Sequence, residues 1–405
     1  MSGAISTQVP EHVDPKLVFD FDIYHENMLK SDLHGGFRSL RRLAPDIFYT
    51  PRNGGHWVAT RFEDVTHILK DAEHFSNRDL SIPKANSPYV MLPLNLDPPE
   101  HTPYRAVLVR YFSPKVVASL DDKLRSWADR LISRVHADGQ CDFTETLGAA
   151  FPVSIFMEMM GLPMERFDDF RTIVTEYFGQ NVPARRLELQ AQIFAEMEVV
   201  IRARMEKPED DLISRLISED VRGRKLTMDE LLSMCYLLFV TGLDTVANTL
   251  TFTFLHLARD PNLQDRLAAS PSDIPGFVEE ALRSYAIVNP VRVVKADCDY
   301  HGASFRVGDS VVCAVPAANH DEAANRCPAH FDIDREKRQL VTFSAGAHLC
   351  VGHYLARAEM RVFTEEWLRR VPRFKTADDF KPAYRPGLVM ALPHLPLEWT
   401  PDQGQ

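Results

Sequence analysis

Cys350 is the residue of this chain best placed to do chemistry. It stands in Phe343-Ser344-Ala345-Gly346-Ala347-His348-Leu349-Cys350-Val351-Gly352, behind a glycine-punctuated loop and ahead of a helical pattern from Tyr354 to Arg370. A thiolate just before a helix meets backbone N–H donors and the positive end of the helix dipole. Gly346 lets the loop bend where other residues would be strained. Gly352 lets a bulky group lie close to the helix, Phe343 can screen the sulfur from water, and His348 can reach an anion near the same plane. A screened thiolate of this kind suits an axial iron ligand better than a nucleophile.

A second constellation is Thr241-Gly242-Leu243-Asp244-Thr245. It lies in the longest helical pattern of the chain, Met228 to Arg259, opened by a capping box of Thr227 and Glu230 and closed by Asp260 and Pro261. At ~1.5 Å per residue this helix would run roughly 48 Å, enough to cross a whole domain. The run is apolar enough to suggest a membrane span, but Asp244 and Asn248 near its middle would then be expensive, so a buried core helix is the better reading. Polar residues in such a core need a reason. The Thr245 hydroxyl can bond a carbonyl one turn back and open a groove in the helix ladder. Gly242 would thin the helix, and Asp244 can carry protons inward. Two charged pairs complete the set. Glu280 and Arg283 are three apart, and His101 and Arg105 four apart, so each pair shares a helix face.

The elements that must position these residues read as follows. Gly55 to Arg61 is a strand and Phe62 to Phe75 a helix, with Val65, Ile68, Leu69 and Ala72 on its apolar face. Ser76 to Asp97, with Pro83, Pro88 and Pro93, is an irregular loop of a length that is usually either functional or disordered. Pro98-Pro99 then opens a helix. Helical patterns fill most of residues 115–290. Short strands follow at Val291 to Ala296, Ser304 to Arg306 and Ser310 to Ala314.

The Cys350 loop resembles the haem-binding signature of the cytochrome P450 family, and Thr241 to Thr245 is similar to that family's oxygen-activating motif. The resemblance extends from Gly55-His56-Trp57 to Pro396-Leu397-Glu398-Trp399. It implies a mainly α fold with a small β-sheet region, the triangular prism of this family. Haem b, iron protoporphyrin IX, would lie between the long helix and the helix after the cysteine. It also implies Cys350 as the iron ligand, His101, Arg105, Arg292 and His348 as partners of the haem propionates, and Thr245 with Asp244 as the proton-delivering pair in dioxygen activation. Glu280 and Arg283 would be a buried structural pair, locking their helix to the loop before the haem through Arg335. The sequence looks closest to the camphor hydroxylase subgroup: Leu96-Asp97-Pro98-Pro99-Glu100 holds its place, and Tyr89 stands where that enzyme's tyrosine bonds the substrate ketone. Leu237, Val240, Thr241, Val288, Leu388 and Val389 would wall the substrate pocket. Leu80, Leu94, Thr241 and Pro290 depart from that enzyme, which leaves a related bicyclic monoterpenoid such as 1,8-cineole as open as camphor.

Composition fits this reading. The 405 residues carry a net charge of −11 with no basic stripe, which argues against nucleic acid as the main partner. The six cysteines include no Cys-x-x-Cys pair, so a zinc ribbon or redox dithiol is not indicated, and a reducing cytoplasm suits them. Residues 1–16 hold no apolar run, so neither a signal peptide nor a membrane anchor is expected. No linker or repeat divides the chain, so residues 1–405 read as one domain and the protein as a monomer. The expected partners are dioxygen, a small hydrophobic substrate, an iron–sulfur ferredoxin and its NAD(P)H-dependent reductase, with Arg105, Arg110, Lys337 and Arg338 as a basic docking patch. A peroxide-driven peroxygenase and a non-catalytic haem-thiolate sensor are the alternatives.

Overall fold

Phe48, Trp57, Val58, Val311 and Val312 are the aromatic and β-branched residues that suit a buried pleat, and they seed the largest sheet. The computed structural model describes residues 8–84, 87–179 and 182–401. Its five-stranded sheet runs in the order Ile47–Thr50, His56–Ala59, Ser310–Cys313, Val291–Val294 and Phe75–Ser76. Among the described strands of this sheet, His56–Ala59 and Ser310–Cys313 pair in parallel and the other neighbours antiparallel. Helices dominate the rest, as expected. Several bounds are tighter than the sequence patterns predict. The helix after Arg61 ends at Lys70, because the Asp71 carboxylate accepts the backbone N–H groups of Glu73 and His74 and turns the chain into a strand. Pro98 and Pro99 form a turn ahead of their helix instead of opening it, and the helix is His101–Tyr111. The strands are His56–Ala59, Val291–Val294, Ala303–Phe305 and Ser310–Cys313.

The long helix is the main departure. It starts at the expected capping box, with reciprocal bonds of 3.3 and 2.8 Å between Thr227 and Glu230. It then breaks at Leu243 and Asp244 into Met228–Gly242 and Thr245–Ala258. The two halves serve different cores. Leu231, Met234, Leu238 and Phe239 pack in one; Leu250, Phe252, Phe254 and Leu257 pack in the other. The pair is long and apolar enough to cross a membrane, yet these side chains are spent on protein contacts. The helix after the cysteine loop, His353–Arg370, lies along Asp121–Val135 and buries Met360, Phe363 and Trp367. The cysteine loop, the break in the long helix and the strand carrying Arg292 all border one space.

Candidate active site

That space is a cavity of about 1190 Å³, and Cys350, Thr245, Arg292 and Tyr89 all line it. Gly346 opens the cysteine loop with φ +69°, and a Cβ there would stand 3.0 Å from the Lys70 Cα, so only glycine fits the turn. The Cys350 N–H donates to the Phe343 carbonyl at 2.8 Å and closes the loop. Cys350 is exposed to this cavity, while protein packs around it on its other sides. Burial pushes its thiol up, against the Gly352 N–H and the Arg105 and Arg357 charges that favour the thiolate. A Cβ on Gly352 would meet nothing nearer than that sulfur, at 3.9 Å, so the floor beside it is open for a flat group. Phe343 lies under the Arg357 guanidinium, 4.6 Å from ring to charge.

To one side of Cys350 lies a group of side-chain nitrogens, three of them buried without a partner. The His101 and His348 rings are 4.4 Å apart. Each has its Nε2 buried without a partner, and so does one terminal nitrogen of Arg292. The other Arg292 nitrogen reaches only the carbonyl of Val291. Arg105 donates to the Leu349 carbonyl. Burial, then the charges of Arg292 and His101, holds His348 down to about 3. Asp97 is the acid felt at this group, and it is held by the Asn77 N–H at 3.1 Å and Lys295 at 3.4 Å. Buried donors and cations in such excess need anions. A flat iron porphyrin with two carboxylates, its iron toward Cys350, satisfies that need.

Across the cavity, Thr241, Thr245 and Thr249 each donate a hydroxyl to the carbonyl four residues back, at 2.8–3.0 Å, and the buried Thr253 continues the pattern at 2.7 Å. The Thr245 proton is therefore committed to Thr241, and its oxygen offers lone pairs to the cavity. Asp244, at the break, has one carboxylate oxygen buried without a partner. Burial raises its carboxyl above the ordinary value, with the Arg385 charge opposing. Gly242 lines the cavity, and its missing side chain also admits Phe156, since a Cβ there would fall 2.5 Å from the Phe156 ring.

Leu237, Val240, Thr241, Val288, Leu388 and Val389 all line the cavity. An antiparallel bridge between Val288 and Val389 joins two walls. Tyr89 comes from the irregular loop, which is stapled at its base by Asp97 on Asn77 and by Asn95 on Asn77 at 3.0 Å. Its ring packs on Phe194 at 4.6 Å. Sequence reasoning missed Phe156 and Glu359, which also line this space. Phe156 belongs to the almost wholly apolar helix Ala150–Met160, where no periodicity singles out a face. Glu359 is buried, and burial pushes its carboxyl well above the ordinary value. Its signal was legible, since it falls on the apolar stripe of Leu355, Ala356, Met360 and Phe363.

Glu280 and Arg283 are both fully buried and bond at 2.7 and 3.0 Å. Arg335 joins them at 3.3 Å as expected, and Arg338 does too, at 2.9 Å. This corrects the docking patch. Arg338 points inward to Glu280, and Arg110, though exposed, pairs with Glu219.

The comparisons agree with this geometry. The family model described as Cytochrome P450 matches residues 153–270 and 274–400. The crystal structure of CYP101J2 superposes with a TM-score of 0.90 at 37% identity, covering 97% of this chain and 100% of that one. A probable cytochrome P450 127A1 of Sinorhizobium fredii is 31% identical over 97% of each chain. A steroid C26-monooxygenase of Mycobacterium tuberculosis is 31% identical over 95% of this chain and 98% of its own.

Proposed function

The chain belongs to the cytochrome P450 family, and on that premise we propose that this haem b monooxygenase hydroxylates a small oxygenated hydrocarbon, a bicyclic monoterpenoid such as camphor or 1,8-cineole. When bound, the haem supplies activation of dioxygen and insertion of one oxygen atom into a C–H bond, with a thiolate ligand favouring O–O cleavage. Cys350 would hold the iron, and His101, Arg105, Arg292 and His348 would hold the two carboxylates. Asp244, with one free oxygen and a raised carboxyl, takes up a proton and passes it into the cavity. Thr245 accepts a hydrogen bond from whatever protonated group lies before it and so fixes where that proton goes. Leu237, Val240 and Val288 exclude water from the substrate's carbon body, and Tyr89 orients it. Electrons come from an iron–sulfur ferredoxin and an NAD(P)H-dependent reductase, and the enzyme works in the cytoplasm.

The observation that carries this reading is the convergence on one cavity of Cys350, the unpartnered nitrogens of Arg292 and His348, and Gly242 and Thr245 on either side of a break in the long helix. The Tyr89 hydroxyl makes no hydrogen bond to another described residue, so it is available to a ligand oxygen. Tyr89→Phe is expected to weaken 1,8-cineole binding roughly 2- to 13-fold, the worth of one net hydrogen bond, and to spread the hydroxylated products. A Soret titration and product analysis check this. Equal affinity and the same single product would remove Tyr89 from the site.

A further inference from the structure

We infer that the outer end of the cavity carries a carboxylate-binding subsite centred on Arg186, so that the enzyme also hydroxylates apolar acids at a carbon remote from the carboxylate. This rests on the reading of the cavity as the substrate site and extends it to a second substrate class.

Arg186 sits near the start of the helix Pro183–Glu206 and lines the cavity. Its Nε is shut off from water without a hydrogen-bond partner. Its guanidinium lies 5.1 Å from the centre of the Tyr177 ring. Among the described residues, no carboxylate pairs with it. The nearest acids along the chain, Glu176 and Glu188, are taken by Arg185 at 2.7 and 2.9 Å. The neighbouring Gln180 and Asn181 carry no carboxyl by sequence. A guanidinium partly withdrawn from water and lacking an anion is an incomplete arrangement, and its planar fork matches a carboxylate with two parallel bonds.

The wall around it is built and ordered. One turn along the helix, Gln190 donates to the Tyr236 hydroxyl at 2.8 Å and accepts from Ser87 at 3.0 Å. Tyr236 in turn donates to the Tyr177 hydroxyl at 3.2 Å, fixing the ring under Arg186. Val182 and Leu187, 56% and 36% exposed, mark the mouth beside it. The Arg186 charge is felt at Tyr24 and Tyr236, whereas the charges felt at Cys350 are those of Arg105 and Arg357. Arg186 and the sulfur therefore serve separate parts of the cavity, with Leu237 and Val240 offering apolar wall for a carbon chain. An acid bound this way keeps its carboxylate unchanged at the mouth. A distant C–H bond becomes C–OH, and the second oxygen atom of dioxygen leaves as water with two protons. The two electrons are supplied by the same donor as for any other substrate.

The test titrates the haem-loaded full chain with decanoic acid, methyl decanoate and 1,8-cineole, reading the Soret shift. The parent is expected to bind the acid more tightly than the ester at neutral pH. Arg186→Gln should weaken the acid roughly 10- to 100-fold, the loss of a charge-assisted bond, while the ester and cineole stay within about 2-fold. Arg186→Lys should lie between. An acid that binds the parent no better than its ester overturns the subsite, and so does a variant that loses acid and ester alike. If cineole and the ester shift the band and the acid has no advantage, the subsite fails while the monooxygenase reading stands. If none of the three shifts it, the reading of the cavity fails and the subsite with it.

Discussion

Asp244→Asn is expected to lower substrate-driven turnover roughly 100-fold, the usual worth of a positioned proton-transfer group, with little change in substrate affinity. The side chain keeps its size, and Asn248 still bonds the residue 244 carbonyl at 2.9 Å, so the helix break survives. What is lost is a carboxyl that can take up and release a proton. Thr245→Ala should act differently. The helix loses a back-bond to Thr241, and NADH consumption should continue while its product shifts to hydrogen peroxide. Parallel measurement of NADH oxidised, product formed and peroxide released separates the two variants. Unchanged coupling in Thr245→Ala would reduce that hydroxyl to a helix feature, and unchanged turnover in Asp244→Asn would take the carboxylate out of the proton path.

Glu280→Gln should destabilise the protein by about 3–5 kcal/mol, because removing one member of a buried ionic group leaves uncompensated charge. Here three guanidinium groups, those of Arg283, Arg335 and Arg338, converge on that carboxylate. The effect should reach the cysteine loop by a short path. Arg283 donates to the Asn319 carbonyl, Asn319 donates to the hydroxyl of Thr342, and Thr342, one residue before Phe343, donates to the Leu282 carbonyl. The variant should therefore lose haem at lower urea than the parent. Burial alone would raise the Glu280 carboxyl, but the hydrogen bond and charge of Arg283, then Arg338, leave it below its ordinary value of 4.5. Its stabilisation is thus complete above that value and is lost as pH falls through the lower folded value. The gap between parent and variant in urea midpoint should close in acid. A variant as stable as the parent at pH 7 would mean the arginines find other acceptors.

Much of this was legible because it depends on local spacing. The capping box at Thr227 and Glu230, the His101–Arg105 pair and the cysteine loop are each written within a few residues. The helix break was not legible. Leu243 and Asp244 interrupt an apolar pattern that reads as continuous, and the polar chain of threonines looks like ordinary helix surface. Gly242 was read for the space it leaves, but that Phe156 packs against it was not legible, because the helix carrying Phe156 is apolar nearly all round and its pattern singles out no face. Arg338 reads as a surface charge near Lys337, and only the fold turns it onto Glu280. Arg186 shows the same limit, since its neighbour Arg185 has the same local pattern and faces two acids.

The central claim is that Cys350 holds the haem iron in this cavity, and the absorption spectrum of the reduced carbon monoxide complex tests it most directly. The parent should show the red-shifted Soret band of thiolate ligation, and Cys350→His should move it to the position given by imidazole. A red-shifted band that survives in Cys350→His would show that another residue holds the iron.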